Sequence, residues 1–396
     1  MDRLPLLTFS HLRWNSASRR PQNIMGRMAG KRDILYIEEP ILRGGDPDLE
    51  VIAVEPRVRV IQPNLPFNGT GFGAHQTSAL ESLLRAFLAR EGWKEHAAWV
   101  YTPMAVTVAR ALRPKALVYD CMNELSSFLL APPELPEREA ELLAYADVVF
   151  ADGPALHRAK RFQHPFVHNF PSGVDTDHFG NSNDADEARD QAGLPRPRLG
   201  LFGVVDERLD LSILQHLSAE RPDWQIVVVG PIARIEASRL PHGANLHYIG
   251  LRSYQEIPSY LSGWDVCLMP FQKSAVTTYI TPSKCLEYMA SGRPIVSTPV
   301  PDIAEPYGEV VRTGEGPQGF LEACERALSE TQTERATRES RTRQILQKTS
   351  WEETVDGMDL ILRHVAGEGF ARKVLPSREM PRERETELLT TRSRGR

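Results

Sequence analysis

A lysine and a glutamate three residues apart, Lys284 and Glu287, stand in the stretch TYITPSKCLEYMASGRPIVST, which covers residues 278–298. On a helix, both side chains can share one face. A helix start presents unpaired amides and a partial positive charge, and a lysine there favours a phosphate or diphosphate. A carboxylate one turn further on can accept two hydrogen bonds from vicinal hydroxyls, as in a ribose. The alternative is an ordinary surface Lys–Glu pair.

The residues at its two ends predict the helix itself. Thr281 is a good N-cap, Pro282 suits the first helical position, and Gly292 fits just past the end. We therefore expect a helix over Pro282–Ser291, whose first backbone amides, including that of Ser283, face a bound anion.

A second cation follows a predicted strand in LGLFGVVDERLDLSIL, residues 199–214. The strand is expected to end at Gly203 and a helix to start near Arg208, with Asp206 as its cap. A cation in the first turn opposes the helix dipole, which indicates another use. Binding a diphosphate with a fork-shaped donor is one such use, and an interdomain salt bridge is the alternative.

Polar residues also follow two predicted strands in the first half of the chain. In VYDCMNELSSF, residues 118–128, we expect Asp120, Asn123 and Glu124 to project from the carboxyl end of a strand towards a ligand cleft. The stretch FSHLRWNSASRRPQNI, residues 9–24, follows the first strand. Its cationic and aromatic candidates are His11, Arg13, Trp14, Arg19 and Arg20.

Several other site classes are not supported by the sequence. NGTGFGA, residues 68–74, lacks the lysine of a phosphate-binding loop, and we interpret it as a flexible loop before a helix. Motifs of zinc proteases and serine hydrolases are missing, and we expect no metal site. The cysteines are scattered without a CxxC pair, which argues against a zinc site or disulfide scaffold and favours a reducing cytoplasm. They are Cys121, Cys267, Cys285 and Cys324.

Charge and hydropathy narrow the class of protein further. The net charge of −5 gives no reason to expect nucleic acid as the main partner. No apolar run approaches the roughly 18 residues that a membrane span needs. The apolar part of the N-terminal segment is too short for a secretion signal. We therefore expect a cytoplasmic protein.

The candidate residues must be positioned by alternating strands and helices. Apolar runs in the first half predict buried strands at 4–10, 33–40, 58–66, 97–103, 116–122 and 146–153. Helices are expected between most of them, at about 21–30, 75–91, 104–112 and 134–145. The pattern restarts at 199–203 and continues at 224–231, 245–250, 265–271, 294–300 and 308–314. Such alternation predicts mostly parallel sheets covered on both faces, with ligands beyond the carboxyl ends of the strands.

The second half therefore predicts a second α/β domain, and a cleft between the two would hold the ligand. We expect an N-terminal domain over 1–178, a polar linker over 179–198 and a C-terminal domain over 199–348. An amphipathic helix is predicted at 349–366. The basic tail, 367–396, holds eight Lys/Arg against five Glu and is expected to be disordered, with contact to anionic lipid head groups as an alternative.

The motifs together resemble a known enzyme family. TPSKCLEYMASGRPIVSTPVPDI looks like the donor-site motif of GT-B glycosyltransferases of the family 4 type. RPQNIMGRMA, ILYIEEP, VYDCMNELSSF, PSGVDTDHF, GVVDERLDL, RPDWQIVVVGP and DIAEPYG resemble one bacterial subgroup, in the same order along the chain. The resemblance implies an α/β GT-B fold: two facing Rossmann-like domains, with a C-terminal helix that crosses back to the first.

The resemblance also implies transfer of a sugar from a UDP- or GDP-linked donor, usually with retention of configuration and without a metal or other cofactor. Glu287 would bind the ribose, Arg208 and Lys284 the diphosphate, and the amides of Thr281–Ser283 the phosphates. The turn at Gly250–Arg252, with Arg252 at its end, would border the base.

The chain departs from the family pattern at three positions. Tyr279 stands where the first of two spaced glutamates is usual, Thr278 where an arginine is usual, and Asn123 where an aspartate is usual. The usual glycine-rich loop after the first strand is also missing.

From these observations we expect a hexosyltransferase that acts on a glycan or lipid-linked acceptor in cell-envelope polysaccharide synthesis, with peripheral contact to the inner membrane as one possibility. The acceptor is expected on the N-terminal domain, and the first candidate to touch its hydroxyl is Asp120, followed by His11. The alternatives are a GT-B partner protein with weakened catalysis and a UDP-sugar 2-epimerase.

Overall fold

The computed structural model describes residues 3–15, 20–66, 71–183, 185–233, 235–280 and 283–367. Five parts of the chain named above lie outside the described residues: Thr281, Pro282, Arg19, residues 68–70 of the NGTGFGA segment and the basic tail from 368 onwards. The described chain forms two α/β units, each built on its own sheet.

The N-terminal sheet is parallel except at one edge. Its strands run in the order β3-β5-β2-β1-β6-β7-β8-β9, and β4 pairs antiparallel with β5. The strands are β1 Leu6–Ser10, β2 Ile34–Glu38, β3 Ile41–Leu42, β4 Asp48–Glu55, β5 Val58–Leu65, β6 Ala97–Val100, β7 Leu117–Cys121, β8 Val148–Ala151 and β9 Val167–Asn169. Every residue of β1, β2, β6, β7 and β8 is buried, as expected for strands covered on both faces.

Helices cover the two faces of this sheet. They are α1 Arg20–Met28, α2 Ala74–Arg90, α3 Val106–Ala111, α4 Leu135–Tyr145 and α5 Pro154–Lys160. The first four correspond to the helices expected from the sequence. Helix α5 and strand β9 were missed, because a strand of three residues and a helix of seven give little periodic signal.

The C-terminal sheet is parallel throughout, in the order β12-β11-β10-β13-β14-β15. Its strands are β10 Arg198–Phe202, β11 Gln225–Val229, β12 Leu246–Gly250, β13 Val266–Met269, β14 Ile295–Ser297 and β15 Val311–Thr313. The helices of this half are α6 Thr176–Gly180, α7 Arg189–Ala192, α8 Leu211–Glu220, α9 Ile257–Leu261, α10 Ala275–Thr278, α11 Ser283–Ala290, α12 Pro301–Tyr307, α13 Gly316–Leu328 and α14 Gln332–Leu346.

The last helix returns to the N-terminal domain. Helix α15 spans Trp351–Gly367 and contacts α1. Its stripe of Trp351, Val355, Met358 and Leu362 is buried in the same cluster as residues of β1, β6 and β7. The crossover that the sequence predicted is therefore present.

The chain passes between the domains earlier than the sequence indicated. Val174 and Phe179 belong to the core of the C-terminal domain, and the Val174 amide donates to Thr349 O at 3.1 Å. Gly173 packs against Trp351, since a Cβ on it would lie 2.7 Å from the Trp351 amide nitrogen. The outgoing and returning segments thus lie side by side.

The predicted linker, 179–198, is instead part of the C-terminal domain. Gln191 is buried, and its side-chain amide donates to Tyr260 O at 2.8 Å. Arg198 opens β10 and donates to Leu194 O at 2.9 Å. Polar composition misled the prediction because these polar groups are satisfied by hydrogen bonds inside the fold.

Candidate functional site

The side chain of Lys284 lies across the carboxyl end of β10. Its Nζ atom is 4.8 Å from the centre of the Phe202 ring. Gly203 has a φ of +137°, and a Cβ there would lie 2.4 Å from Lys284 Cε. Only glycine suits this position, because it tolerates the backbone conformation and leaves room for the lysine stem. The ammonium group is thereby brought from the first turn of α11 to the end of a neighbouring strand.

Glu287 lies one turn further along α11 and carries an unsatisfied acceptor. Its Oε2 atom is buried and has no hydrogen-bond partner in the described part of the chain. Burial raises the pKa of this carboxyl group, while the nearby Lys284 and His178 act in the opposite direction. A buried acceptor without a partner is costly, so a ligand hydroxyl that supplied the missing hydrogen bond would be favoured.

A stacked aromatic pair stands close to Glu287. The His178 ring of α6 lies parallel to Tyr254, with ring centres 4.0 Å apart and planes 10° from each other. The His178 Nε2 atom is 3.0 Å from Tyr254 O, which fixes the ring against the turn after β12. No motif spacing in the sequence points to either residue as a site residue, and His178 stands in PSGVDTDHF, a segment quoted above only for its resemblance to the family.

Three glycines end three adjacent strands of the C-terminal sheet. Gly203, Gly230 and Gly250, at the ends of β10, β11 and β12, have φ angles of +137°, +145° and +81°. A Cβ on Gly230 would lie 1.9 Å from Gly203 O, and the Gly230 amide donates to Gly250 O at 2.8 Å. Gly203 and Gly230 are therefore closely packed by their neighbours, whereas no atom lies within 4 Å of the Cβ position of Gly250, so a ligand could approach the backbone there.

Arg208 lies in a different place from the one that the sequence predicted. Helix α8 starts at Leu211 and is capped by Asp210, whose side chain accepts from the Ser212 amide at 3.1 Å. Arg208 lies in the preceding loop and forms a bidentate pair with Asp206, with Nε–Oδ1 at 2.8 Å and Nη2–Oδ2 at 2.6 Å. The predicted cap was wrong because Asp206 turns back onto its own loop instead.

Arg252 also has a structural partner. Its guanidinium donates to Asp190 Oδ2 at 2.7 Å and to the Tyr260 hydroxyl at 2.7 Å. The side chain thus ties the turn after β12 to α7 and α9. The backbone of Gly250–Arg252 lies at the carboxyl edge of the sheet. That this turn borders the base stays a prediction, which the family resemblance implies.

The start of α11 is described from Ser283 onwards. Ser283 is half-buried and lines a cavity between the two domains. The predicted Thr281 cap and Pro282 lie outside the described residues. Gly292 has a φ of +72° just past the helix end, as the sequence predicted.

Asp120, the first acceptor candidate, does not reach the cleft. Its carboxylate is fully buried and accepts from Arg20 Nε at 3.0 Å and from the Trp99 indole at 3.2 Å. Arg20, also buried, donates in addition to Asp152 Oδ1 at 3.2 Å and to Phe170 O at 2.8 Å. Both predictions of cleft-facing side chains were wrong, because Arg20 pairs with Asp120 and Asp152 inside the domain.

The loop after β1 is held by Glu38 at the end of β2. Glu38 accepts from Arg13 Nη1 and from the Trp14 amide, each at 2.8 Å. Trp14 is buried edge-on against Tyr36, with ring centres 5.0 Å apart. Trp14 is therefore a core residue and the prediction of an acceptor contact was wrong, while Arg13 is tied at its head group. His11 is half-buried directly beyond the end of β1.

Glu124 is likewise paired inside its own domain. Its Oε2 atom accepts from Lys160 Nζ at 2.9 Å, and the same buried lysine lies 2.8 Å from Glu139 Oε1. Asn123 is half-buried beyond the end of β7. Asn123 therefore stays a candidate for the acceptor side.

Tyr279 reaches from the C-terminal domain to the N-terminal domain. It follows α10 and packs against the core cluster of the N-terminal domain. Helix α10 contacts the 3₁₀ turn Leu125–Ser127 across the same boundary. The position that carries a glutamate in the family pattern thus holds an interdomain contact in this chain.

The described residues show neither a metal cluster nor a helix suited to crossing a membrane. No group of three or more His, Cys, Asp or Glu side chains is placed to hold a metal ion within those residues. Among the helices of the described chain, none combines the length and apolar character that crossing a membrane requires.

Part of the C-terminal half matches a known protein family. Residues 208–330 match the model of the family described as Glycosyl transferases group 1. This segment includes Arg208, Lys284 and Glu287. A Bacillus subtilis (strain 168) protein, TuaH, assigned as a teichuronic acid biosynthesis glycosyltransferase, is 26% identical over 238 residues. The alignment covers 54% of this chain and 59% of TuaH.

Solved structures resemble the whole fold. Sucrose-phosphate synthase from Thermosynechococcus elongatus has a TM-score of 0.68 at 18% identity, covering 92% of this chain and 99% of that one. An E. coli trehalose-6-phosphate structure bound with UDP-2-fluoro glucose has a TM-score of 0.67 at 12% identity, with the same coverages. A UDP-forming α,α-trehalose-phosphate synthase from Burkholderia xenovorans, in complex with glucose-6-phosphate, has 0.65 at 15%, covering 92% and 100%. The predicted GT-B architecture is therefore confirmed.

Proposed function

We propose that this protein is a glycosyltransferase that moves a hexose from a UDP- or GDP-linked donor to a glycan or lipid-linked acceptor in cell-envelope polysaccharide synthesis. The match over residues 208–330 supports the reaction class. The similarity to TuaH, a protein assigned to teichuronic acid biosynthesis, supports the cell-envelope context. We place the chain in the family 4 type, working in the cytoplasm with peripheral contact to the inner membrane.

One observation carries this proposal. The ammonium group of Lys284 is held over Gly203, while one turn away Glu287 buries an acceptor that lacks a hydrogen-bond partner within the described residues. A cation at a helix start favours binding of a diphosphate, and an acceptor one turn further along the helix can bind the hydroxyls of a ribose. The open space beside the Gly250 backbone, at the end of β12, leaves room for another part of a nucleotide.

The reaction that fits this site breaks the bond between the sugar C1 atom and the diphosphate oxygen. A new bond forms from C1 to an acceptor hydroxyl on the same face, so configuration is retained. The acceptor proton passes to the leaving phosphate oxygen. Lys284 offsets the negative charge that develops on that phosphate, which is the role a metal has in other enzymes.

Arg208 contributes to the diphosphate only after a change of partner. Its guanidinium is engaged by Asp206, which cancels part of its charge. A diphosphate carries more negative charge than one carboxylate and can accept the remaining N–H groups or replace Asp206. We propose that donor binding shifts Arg208 towards the phosphates.

On the acceptor side, His11 and Asn123 remain the candidates for direct contact. His11 follows β1, and Asn123 follows β7, at the carboxyl edge of one sheet. Arg13 and Glu124 are candidates for shaping the loops, since each is held by a charged partner of its own domain. Because Asp120 is buried, no acidic base from that position takes part in the mechanism that we propose.

The test is a donor screen followed by turnover. Thermal unfolding of the full chain is measured with UDP-, GDP-, dTDP- and ADP-sugars, and a ligand at one hundred times its Kd should stabilise by about 2.7 kcal/mol. Each donor that binds is then assayed for nucleotide release with and without EDTA. We expect binding of a UDP- or GDP-sugar and slow release that EDTA leaves unchanged. Stabilisation by none of the donors would contradict the proposal.

A second candidate function is a GT-B partner protein without turnover. The observation that favours it is Tyr279, which packs against the N-terminal domain at a position where the family pattern has a glutamate. Donor hydrolysis separates the two candidates. A transferase should leak some sugar to water, whereas a partner protein should bind the nucleotide-sugar and leave it intact.

A further inference from the structure

A carboxylate of the C-terminal domain caps a helix of the N-terminal domain. Asp302 lies in the first turn of α12 and is 1% exposed. Its Oδ1 atom accepts from the Ala155 amide, in the first turn of α5, at 2.9 Å. The first amides of a helix have no partner within the helix, so a side-chain acceptor there stabilises the helix start. In this protein the acceptor comes from the other domain.

An ion pair joins the same two helices. Arg158 Nη1 of α5 lies 3.1 Å from Glu305 Oε2 of α12. Both side chains are exposed, so this pair contributes about 0–1 kcal/mol. The buried contact at Asp302 is therefore the stronger candidate for holding α5 and α12 together.

This contact borders the cavity that separates the domains beside α11. The cavity has a volume of about 140 Å³. Its walls come from the N-terminal domain, from α11 and from α12, and they include Gly153, Ser172, Ser283, Leu286, Asp302 and Tyr307. A change in the distance between α5 and α12 would thus change the position of the start of α11 relative to the N-terminal domain.

The N-terminal wall of the cavity is fixed from behind. Asp152 accepts from the Ser172 amide at 2.7 Å and from the Ser172 hydroxyl at 3.0 Å, and Arg20 holds Asp152 in turn. This wall belongs to a buried hydrogen-bonded network, so we expect it to stay rigid. Movement between the domains is expected instead at isolated contacts, such as the one between Asp302 and the Ala155 amide.

We propose that Asp302 is a positioning residue that sets the spacing of the two domains, and with it the place of the α11 helix start opposite the N-terminal domain. Its other oxygen supports this role. Asp302 Oδ2 is buried without a hydrogen-bond partner in the part of the chain that the structure describes. Such an arrangement is unfavourable on its own, so it persists because the interdomain contact holds it. The proposal does not rest on sugar transfer.

The charges around Asp302 make this contact sensitive to pH. Arg158 of α5, Glu305 and Tyr307 of α12, and Asp152 beyond β8 surround it. Burial raises the pKa of Asp302 to about 6, from an ordinary 3.8. The closed arrangement therefore binds more protons than an open one in which Asp302 is hydrated. The contribution of Asp302 to the stability of the closed arrangement is therefore complete below about pH 4. It falls as pH rises from about 4 to about 6 and is constant at higher pH.

The experiment compares Asp302→Ala and Asp302→Asn with wild type in the full chain. Hydrogen exchange at the Ala155 amide and the radius of gyration from small-angle X-ray scattering are measured at pH 5 and pH 7.5. Asp302→Ala should speed Ala155 exchange at least tenfold beyond the intrinsic pH effect and increase the radius of gyration. Asp302→Asn keeps an acceptor without a charge, so it should match wild type at pH 5 and show no pH dependence of the radius.

A control variant tests whether the loss of any carboxylate that accepts from a backbone amide has the same effect. Asp147 Oδ2 accepts from the Leu117 amide at 2.8 Å within the N-terminal domain, at the amino ends of β7 and β8. Asp147→Ala should leave Ala155 exchange and the radius of gyration unchanged. The proposal is overturned if Asp302→Ala behaves like wild type or like this control. It is also overturned if Asp302→Asn keeps the pH dependence of wild type, a result that stands even where Asp302→Ala fails to fold.

Discussion

At the scale of single residues, Glu287 is the group whose state should respond most directly to a ligand. Burial raises its pKa above the ordinary 4.5, so the carboxyl group of the unliganded protein ionises later than usual as pH rises. A ribose diol donates hydrogen bonds and therefore favours the ionised form. Nucleotide affinity should accordingly increase with pH across the raised pKa and then level off.

Glu287→Gln tests this residue. An amide keeps one acceptor oxygen and loses the charge, so the affinity for UDP or GDP should fall by about 1.5–3 kcal/mol, or about 10- to 150-fold. Calorimetric titration of wild type and variant at several pH values is the measurement, and the variant controls for titration of the ligand phosphates. An unchanged affinity, or equal pH dependence in both proteins, would remove Glu287 from the ribose site.

Asp120 should now behave as a structural residue. Asp120→Asn replaces one of the two buried carboxylates that pair with Arg20, and Asp152 still balances the Arg20 charge. The variant weakens the charge-assisted hydrogen bonds that Asp120 accepts from Arg20 and Trp99, so we expect a loss of about 1.5–3 kcal/mol in the free energy of unfolding. Urea denaturation measures this loss. Glu95→Gln, in the exposed pair with Lys115, is the control and should cost about 0–1 kcal/mol. If the variant has normal stability but impaired transfer, Asp120 acts in the acceptor site and is not a structural residue.

At the scale of elements, the site depends on how closely α11 approaches the end of β10. Gly203→Ala would place a Cβ 2.4 Å from Lys284 Cε and force the lysine stem to move. We expect nucleotide affinity to fall at least tenfold, as measured by calorimetry. The backbone strain of the substitution, about 1–2 kcal/mol at a positive φ, should also lower the melting temperature.

Gly316→Ala separates the strain from the displacement of Lys284. Gly316 has a φ of +66°, but no atom lies within 4 Å of the Cβ that would be added. It should lower stability by less than Gly203→Ala, because it adds backbone strain without a clash, and it should leave nucleotide affinity unchanged. If both variants lose affinity equally, strain alone accounts for the effect and the contact of Lys284 with Gly203 has no part in binding.

At the scale of the whole molecule, the two-domain α/β architecture could be predicted from the sequence because it rests on short-range patterns. Apolar runs of strand length alternate with helical periodicity, and the pattern restarts near residue 199. The domain boundary could not be predicted in the same way. The polar segment at 179–198 reads as a linker, although Gln191 and Arg198 are satisfied inside the C-terminal domain.

The candidate site likewise contains some residues that the sequence could identify and others that it could not. Lys284 and Glu287 could be singled out because three residues of spacing and the end signals of one helix predict their placement. Asp120 and Arg20 are 100 residues apart, so their mutual neutralisation has no local signature. Asp302 was missed for the same reason, since the amide that it caps belongs to the other domain.

The central claim is that Lys284 serves the departing diphosphate of a nucleotide-sugar, and one assay addresses it. Nucleotide release from the best-binding UDP- or GDP-sugar is measured for wild type, Lys284→Ala and Lys115→Ala, the last a surface lysine paired with Glu95. We predict a loss in kcat/KM of about 2–4 kcal/mol for Lys284→Ala, or about 30- to 1,000-fold, and a normal rate for Lys115→Ala. Equal rates in all three proteins, or no release by wild type from any donor that binds, would contradict the account.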